Sequence, residues 1–392
     1  MQYATVTDQL AGLGSDKWTL SIAARARIDA GEPVINLTIG EPDVPTPDWL
    51  IDAACTAMQA GRTGYSNGRG EPALLSALSQ RYEQRLGRPV GRDRFLCLPG
   101  TQTSLYVVLR TLCDIGSEVI LGDPMYATYE GLIRASGAVP VGVRLRPEMS
   151  FRLQAADIEG KITSRTRAIF LNTPHNPTGA ILDPDTLRAI GELARAHDLW
   201  IISDEVYGDL THSGRPFTSA LADPAFEDRT VIAASISKSH AAPGFRSGWV
   251  VGPAAFCARA LPLSETMLFG SQPFIADMTA QAVLAAPTLA QDMAARMANR
   301  AQILFDALDG VAGLNVHRPE AGMFALLDIR SLSDNSLDFA LDLLDRTGVA
   351  AMPGASFGPA LEGWLRIALN ASDADTHEAC RRIRAHAERK AA

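Results

Sequence analysis

The sequence predicts an α/β fold: a large domain with a mainly parallel central sheet flanked by helices, and a smaller α+β domain beside it. From about residue 95, short runs of Ile, Val and Leu alternate with helical patterns, and several runs are continuous, as in strands covered on both faces. Strands that alternate with helices form βαβ units and hence a parallel sheet. After about residue 285, long amphipathic helices with a few strands indicate a separate domain.

The large domain is predicted to span residues 46–284, and the small domain residues 1–45 and 285–392. Predicted strands of the large domain are 95–98, 118–121, 168–172, 200–204, 231–235 and 248–251, with helices that include 102–113 and 185–197. Predicted elements of the small domain are helices 289–308 and 373–389 and strands 323–328 and 365–369. Ligands of parallel sheets bind at the carboxyl ends of the strands, so the chemistry is expected there.

The composition is that of a globular protein and disfavours several classes. Of the 392 residues, 47% are hydrophobic and 20% are charged, which argues against disorder. The net charge of −8 argues against a general affinity for nucleic acid or anionic membranes. Five dispersed cysteines without a C-x-x-C pair predict neither a zinc site nor a disulfide framework. No apolar run approaches a membrane span and no signal-peptide pattern is present, so we expect a soluble, cytoplasmic protein.

Lys238 is the first candidate for chemistry. It follows the predicted strand 231–235 in the segment Ser235-Ile236-Ser237-Lys238, and Arg246 lies shortly after it. By itself, a lysine after a strand is usually a solvated loop charge. Here two hydroxyls and a guanidinium accompany it, and hydroxyls with a forked arginine suit a phosphate group. A lysine in an enclosed cationic pocket becomes a nucleophile towards carbonyls. Aldehyde plus phosphate describes pyridoxal phosphate.

Three further polar side chains follow predicted strands. Asp204 ends a buried strand, where it either caps the next turn or pairs with the protonated ring nitrogen of that cofactor. In the second case, Tyr207 would reach the ring hydroxyl. Asn176 begins an Asn-Pro-Thr-Gly segment, which is either a plain turn or a stiffened loop that presents an amide to the ring oxygen.

Two other strand ends carry weaker candidates. Gly100, Thr101 and Gln102 precede or begin a predicted helix, where they either cap it or offer backbone N–H groups to a phosphate. Tyr126 follows another strand and either packs in the core or stacks on a pyridine ring. All these candidates fall at predicted strand ends, which favours one shared site.

Taken in order, these segments resemble the class I/II aminotransferases, which are fold-type I pyridoxal-phosphate enzymes. The resemblance covers nearly the whole chain, from residues 37–43 (Leu-Thr-Ile-Gly-Glu-Pro-Asp) through Tyr65 to residues 365–369. The pattern S-x-S-K-x-x-x-x-x-G-x-R-x-G-W contains Lys238, and N-x-x-x-N-P-T-G contains Asn176. Because the two patterns are specific in combination, the chain is identified as an aspartate-aminotransferase-like member of this family.

The resemblance implies a ping-pong transamination, in which the amino group of an α-amino acid passes to a 2-oxo acid through pyridoxamine phosphate. Lys238 would hold the cofactor as an internal aldimine and then act as the general base for the α-proton. Asp204 would pair with the ring nitrogen. Tyr207 and Asn176 would contact the ring oxygen, and Tyr126 would stack on the ring.

The remaining site residues follow from the same resemblance. Phosphate contacts are implied for Gly100, Thr101, Gln102, Ser235, Ser237 and Arg246. Arg366 would clamp the substrate α-carboxylate, with Gly40 and Asn176 nearby. Tyr65 would reach across a subunit interface to the phosphate in the partner subunit. The resemblance therefore implies a homodimer with shared sites.

Some positions depart from the family pattern. Gln102 stands where aspartate-using bacterial relatives often carry a lysine, so the resemblance does not imply a strict aspartate preference. His240 replaces a more usual aromatic residue, which we interpret as packing. Lys17 and Trp18 lie in the N-terminal segment, where they either read the substrate side chain or sit on the surface.

Two alternatives to transamination use the same fold. A lyase would eliminate from the β- or γ-carbon of the amino acid with nearly the same residues. A binding protein without activity would be expected to lack Lys238, Asp204 or Arg366, all of which are present. We therefore predict an aminotransferase, with 2-oxoglutarate or pyruvate as the acceptor.

Overall fold

The computed structural model of the protein describes residues 2–212 and 214–392, apart from the side chains of residues 15 and 16. Met1, with which the predicted small domain begins, and Ser213, in the predicted large domain, lie outside the described residues. Within the described ranges, no helix is both long and apolar enough to cross a membrane.

Helices and strands alternate through most of the described chain. The helices are α1 (Thr5–Gln9), α2 (Thr19–Asp29), α3 (Asp48–Gln59), α4 (Pro72–Leu86), α5 (Gly100–Leu112), α6 (Tyr129–Ala135), α7 (Ala155–Glu159), α8 (Pro184–Ala196), α9 (Ala254–Leu268), α10 (Pro273–Leu284), α11 (Thr288–Leu308), α12 (Ser336–Thr347) and α13 (Asp373–Ala391). The strands are β1 (Ile35–Leu37), β2 (Phe95–Leu98), β3 (Glu118–Asp123), β4 (Val139–Arg144), β5 (Thr166–Asn172), β6 (Trp200–Asp204), β7 (Thr230–Ser235), β8 (Gly248–Val251), β9 (Asn315–His317), β10 (Phe324–Asp328), β11 (Val349–Pro353) and β12 (Trp364–Ala368).

The central sheet has seven strands in the order β2-β8-β7-β6-β5-β3-β4. Its neighbouring strands run parallel from β7 through to β4, and only β8 runs antiparallel to both of its neighbours. The predicted mainly parallel α/β architecture is therefore confirmed. Since β5, β6 and β7 point the same way, their carboxyl ends meet at one edge of the sheet.

Both faces of this sheet are covered by helices. Along β7, Val231 and Ala233 pack into one apolar cluster with residues of α5 and α9, whereas Ile232 and Ala234 pack into another with residues of α4 and α10. Successive side chains of a strand point to opposite faces, so a continuous apolar run is what a strand buried on both sides requires.

A second sheet of five strands, in the order β1-β11-β12-β10-β9, supports the other side of the cleft. Its first strand comes from the N-terminal segment, because β1 pairs in parallel with β11. An apolar cluster joins this sheet to α2, α11, α12 and α13. The strand β12 carries Arg366 in its middle, where the side chain faces the central sheet of the large domain.

Candidate active site

One cavity opens at the carboxyl ends of β5, β6 and β7, and the five-stranded sheet closes it from the other side. Most of the residues predicted from the sequence line it: Gly40, Thr101, Gln102, Tyr126, Asn176, Asp204, Tyr207, Ser235, Ser237, Lys238, Arg246 and Arg366. The parallel topology explains this convergence, because strands separated along the sequence end at the same edge of the sheet.

Lys238 lies three residues beyond the end of β7. Its Nζ atom donates a hydrogen bond to the carbonyl oxygen of Gly40 at 2.7 Å. The pKa of this amine is lowered to about 8, mainly by burial; the charge of Glu41 raises it, and the nearby guanidinium groups of Arg366 and Arg246 lower it. A lysine with such a pKa is partly neutral near physiological pH, which makes it a nucleophile and a base.

Asp204 ends β6 and is buried beneath the same cavity. Its Oδ2 atom accepts a hydrogen bond from the hydroxyl of Tyr129 at 2.8 Å, and its Oδ1 atom accepts one from the backbone N–H of Val206 at 3.1 Å. Burial raises the pKa of this carboxyl to about 6, although both donors favour its charged form. Within the described residues, no cation lies within ion-pair distance of it.

Arg366 reaches into the cavity from the five-stranded sheet, fully buried between the rings of Phe324 and Phe357 at 3.9 Å and 4.3 Å from its guanidinium carbon. It donates from Nη1 to Oδ1 of Asn176 at 3.1 Å and from Nη2 to the carbonyl oxygen of Thr38. Its Nε atom is buried without a hydrogen-bond partner in the described part of the chain. Burial lowers its pKa to about 10.

A cradle of donors lies around the start of α5. The Oγ1 atom of Thr101 donates to Oγ of Ser235 at 2.9 Å, and the backbone N–H of Ser237 donates to the same hydroxyl at 3.3 Å. Among the described residues, the guanidinium of Arg246 donates only to carbonyl oxygens, that of Pro243 at 2.8 Å and that of Pro99 at 3.5 Å. Helix amino termini and guanidinium groups together favour a phosphate.

Gly100 does not line the cavity itself, yet its lack of a side chain shapes the cradle. A Cβ atom at this position would lie 2.2 Å from Nη2 of Arg246, and its φ of +80° is one that L-residues rarely adopt. The predicted helix 102–113 accordingly begins two residues earlier, at Gly100, and ends at Leu112. This close approach brings the helix terminus and the guanidinium to the same place.

Several charged groups of the cavity have no partner of opposite charge among the described residues, and they indicate which cofactor fits. The buried carboxylate of Asp204 has no cationic partner, while Arg246 and Arg366 have no anionic partner among the described residues. A flat group with a cationic ring nitrogen and a phosphate would compensate Asp204 and Arg246 and would leave Arg366 for a second anion. These residues fit pyridoxal phosphate together with a carboxylate substrate.

Of the other positions singled out in the sequence, Tyr65 and His240 lie outside the cavity and Trp18 lies in its lining. Tyr65 is 89% exposed, packs against Phe269 with tilted rings whose centroids are 4.6 Å apart, and does not line the cavity of its own chain. His240 bonds Ser239 and the carbonyl oxygen of Ala282 outside the cavity lining. Trp18 lines the cavity.

The neighbouring Lys17 of the N-terminal segment lies just outside the lining. It pairs with Glu130 of α6 at 3.1 Å. This ion pair fastens the N-terminal segment to the large domain beside the indole of Trp18.

Sequence reasoning missed three residues of the site. Tyr129, the donor to Asp204, begins α6 three residues after Tyr126, and this second tyrosine beside the strand end was the available signal. The side chain of Asn172 accepts a hydrogen bond from the backbone N–H of Asn176 at 2.8 Å and donates one to the carbonyl oxygen of Asp204. It therefore connects the ends of β5 and β6. Glu41 lines the cavity with no partner for its carboxylate in the described part of the chain.

Comparisons with known proteins place the chain. The family model "Aminotransferase class I and II" matches residues 32–383. The arginine–pyruvate transaminase AruH of Pseudomonas aeruginosa is 42% identical over 383 residues, covering 98% of this chain and 97% of that protein. The aspartate aminotransferase of Geobacillus stearothermophilus is 32% identical over 87% of this chain and 88% of its own. The crystal structure of the aspartate aminotransferase from Rhizobium meliloti superposes with a TM-score of 0.94 at 26% identity, covering 99% of both chains.

Fold and site together define a fold-type I pyridoxal-phosphate enzyme. The chain belongs to the class I and II aminotransferase family. It is a pyridoxal-phosphate-dependent aminotransferase that moves the amino group of an α-amino acid to a 2-oxo acid. The function predicted from the family resemblance is therefore confirmed. These relatives do not favour the elimination lyase that the sequence left open.

Proposed function

We propose that Lys238 binds the cofactor and moves the proton at the substrate α-carbon. The observation that carries this proposal is the buried amine of Lys238, whose pKa of about 8 lies near the working pH of most enzymes. Pyridoxal phosphate, when bound, supplies an aldehyde that takes up the amino group and a ring that withdraws electrons from the α-carbon. Once the substrate displaces it, Lys238 is free to remove a proton and return it, and the carbonyl of Gly40 is within its reach.

The surrounding residues are assigned roles on the same basis. Asp204, held by Tyr129 and Val206, would face the ring nitrogen and keep it protonated. Tyr207 and Asn176 would hydrogen-bond the ring oxygen, with burial raising the pKa of Tyr207 so that it stays a neutral donor. The ring of Tyr126 would stack on the cofactor. Phosphate contacts are proposed for Gly100, Thr101, Gln102, Ser235, Ser237 and Arg246.

Arg366 is proposed to bind the α-carboxylate of both substrates. Its Nη1 atom already contacts Asn176 at 3.1 Å, and its buried Nε atom would gain an acceptor in a bound carboxylate. The cations that line the cavity are Lys238, Arg246 and Arg366, and each has one of the roles above. Substrates with a single carboxylate therefore match the charges of the described residues better than dicarboxylates do.

We further propose a donor with a long cationic side chain, such as arginine, and pyruvate as the acceptor. The similarity to an arginine–pyruvate transaminase over 98% of the chain supports this choice. Gln102 supplies an amide where a cation would be needed for a side-chain carboxylate. Glu41, without a partner in the described residues, supplies an anion, and Trp18 offers an aromatic face to a guanidinium.

The donor class is tested by single-turnover spectra of the loaded enzyme against a panel of amino acids. We expect arginine to convert the cofactor with a kcat/KM at least about tenfold above that of aspartate, because a charge-assisted contact to Glu41 is lost with an anionic side chain. Glu41→Gln should lower kcat/KM for arginine by about tenfold more than kcat/KM for alanine, because its charge also acts on Lys238 whichever donor is bound. Glu192→Gln, at an exposed position on α8, is the matched control. A preference for aspartate, or an equal loss for alanine, would contradict the assignment.

We propose that the enzyme is a homodimer in which Tyr65 completes the phosphate site of the partner subunit. Tyr65 is 89% exposed and Phe269 is 64% exposed, and their tilted rings contact each other at the surface, outside the lining of their own cavity. Large apolar side chains such as Trp49, Met58 and Met267 are exposed as well, as is common for surfaces covered by a second copy.

Mixing two impaired variants at limiting cofactor concentration tests the shared site. Tyr65→Ala should lose at least about tenfold in cofactor affinity, since a hydrogen bond to a charged phosphate is removed. Hybrids of Tyr65→Ala with Lys238→Ala would contain one intact site, so about a quarter of wild-type activity should return after subunit exchange. Wild type mixed with Lys238→Ala is the control. No gain over the separate variants would show that Tyr65 acts within its own chain.

We propose a large domain over residues 46–284 and a small domain from residues 1–45 and 285–392, supported by the pairing of β1 with β11. We propose a cytoplasmic location, supported by five free cysteines, four of them buried. Limited proteolysis tests the first proposal, and localisation of a tagged full-length chain tests the second.

A further inference from the structure

The segment from Thr38 to Asp43, here called the 38–43 loop, lies between the cofactor lysine and the carboxylate clamp. Three successive carbonyl oxygens of the loop accept hydrogen bonds from side chains. Arg366 donates to that of Thr38, Asn370 donates to that of Ile39 at 3.0 Å, and Lys238 donates to that of Gly40 at 2.7 Å. A Cβ atom on Gly40 would lie 2.2 Å from the ring of Phe324, so the loop is packed closely against β10.

Asp43 anchors the far end of this loop. Its side chain is 3% exposed, and Arg296 of α11 contacts both of its oxygens, at 2.7 Å and 2.9 Å. Arg300 donates to the same carboxylate at 2.8 Å. Burial alone would raise the pKa of Asp43, but the bonds from the two arginines hold it below its usual value, so the carboxylate stays charged.

Arg300 extends the connection to the strand that carries the clamp. The same guanidinium donates to the carbonyl oxygen of Leu369, directly after β12, at 2.9 Å. Its Nε atom donates to Asp373, whose side chain is 53% exposed. One buried arginine therefore joins the 38–43 loop, through Asp43, to the end of the strand that holds Arg366.

We propose that Asp43 is a positioning residue, which holds the 38–43 loop against Lys238 and keeps the lysine enclosed beside Arg366. The proposal rests on the cofactor-binding role of Lys238 given above. Ile39, Gly40 and Glu41 all line the cavity, so a loop released at Asp43 would admit water to the amine. Asp43 touches none of the reacting groups and acts through the loop.

The charges that face the amine of Lys238 decide the direction of the expected change. Burial is the largest influence on the pKa of Lys238 and lowers it; Arg366 and Arg246 also lower it, and Glu41 raises it. Loosening the loop restores water to the amine, which outweighs the loss of one carbonyl acceptor that water can replace. Release of the loop should therefore raise the pKa of Lys238.

The test measures that pKa in the cofactor-free protein, by pH-dependent amine labelling and mass spectrometry. The chain has four lysines, and the exposed Lys161 serves as an internal reference for the reagent. In Asp43→Asn, the pKa of Lys238 should rise by about one from its value near 8. KM for the amino donor should increase about tenfold, with a smaller change in kcat, because the clamp residue Arg366 also loses its support.

Asp373→Asn is the matched control, since it removes the other carboxylate of Arg300 without touching the loop. Arg296→Lys, which keeps the charge but loses the two-pronged contact, is the second variant if Asp43→Asn folds poorly. An unchanged pKa of Lys238 in a folded Asp43 or Arg296 variant would overturn the proposal, as would an equal shift in Asp373→Asn. Borohydride tagging of the same loaded samples reports separately on the cofactor lysine. A tag on a lysine other than Lys238 would overturn both proposals, whereas a tag on Lys238 with no shift would overturn only the role of Asp43.

Discussion

Replacing Lys238 by alanine is expected to lower kcat by about 10⁴-fold, the largest effect of any single change in this protein. Among the described residues, Lys238 is the one lysine that lines the cavity. The other three lysines of the chain, Lys17, Lys161 and Lys390, lie outside it. Without it, the described residues that line the cavity include no other amine that could remove and return the α-proton. Binding of the α-carboxylate by Arg366 should survive, because that clamp comes from the five-stranded sheet.

The measurement combines single-turnover kinetics with the visible absorbance that a lysine-linked cofactor gives. In Lys238→Ala the lysine-linked band should be absent, and a small primary amine such as methylamine should restore part of the rate by entering the space left by the side chain. Lys161→Ala, at an exposed turn, should behave like wild type. A Lys238→Ala enzyme with a normal band and rate would remove the basis for the mechanism.

How much the sequence could predict follows from the topology. The residues on β5, β6 and β7 were predictable because a parallel sheet brings its carboxyl ends together without any further information. Lys238, Asp204 and Asn176 each follow a continuous apolar run, and each lies within a few residues of the observed strand end. Strand identity and direction were enough to place their side chains in one cavity.

Contacts between the two sheets were not accessible in the same way. Arg366 and Asn176 are 190 residues apart and meet at 3.1 Å only because the five-stranded sheet packs over the edge of the central sheet. The resemblance to a family supplied this role for Arg366, and no spacing in the sequence did. The strands β1, β4, β9 and β11 were also missed. The strands β1 and β9 have three residues each and give no usable periodicity, and β4 contains Pro140 and Gly142, which are depleted in strands.

Hydrogen bonds that support the site were the least predictable layer. Tyr129 donates to Asp204 from the start of the short helix α6. Asn172, the last residue of β5, has nothing in its sequence context that marks it as part of the site. Asp43 is similarly inconspicuous in the sequence, although two arginines of α11 converge on it. Such residues become visible only when burial and partners are known, because polar side chains in loops have many ordinary uses.

Asp204→Asn is expected to have the second largest effect, with opposite consequences for activity and stability. In the loaded enzyme, the loss of the carboxylate opposite the ring nitrogen should lower kcat by about 10²- to 10³-fold, because the developing charge at the α-carbon loses its electron sink. The amide oxygen of the variant can still accept from the backbone N–H of Val206, and its NH2 group would donate to the hydroxyl oxygen of Tyr129 instead of accepting from it, so the side chain keeps its packing and loses its charge.

The cofactor-free protein should respond in the other direction. Burial raises the pKa of Asp204 from 3.8 to about 6, so the folded chain keeps a proton that the unfolded chain has already released between about pH 4 and 6. Ionising this carboxyl in the folded state therefore costs stability as the pH rises through 6, and an amide avoids that cost. Urea unfolding without cofactor should show Asp204→Asn to be more stable than wild type at pH 8, by up to about 3 kcal/mol, and similar to it at pH 4.

A variant of the neighbouring Glu205 distinguishes the effect of a charge inside the site from the effect of burying a carboxyl elsewhere. Burial raises the pKa of Glu205 to about 7, but its bonds to Ser219 and Ala220 lie outside the cavity lining. Glu205→Gln should therefore gain stability at pH 8 as Asp204→Asn does, yet keep nearly full activity. If both variants lost activity equally, the effect of Asp204 would be one of folding; if neither gained stability, the buried carboxyls would be ionised without cost. The expected difference between the two variants assigns the effect on activity to the charge of Asp204, which the cationic ring nitrogen of a bound cofactor would compensate.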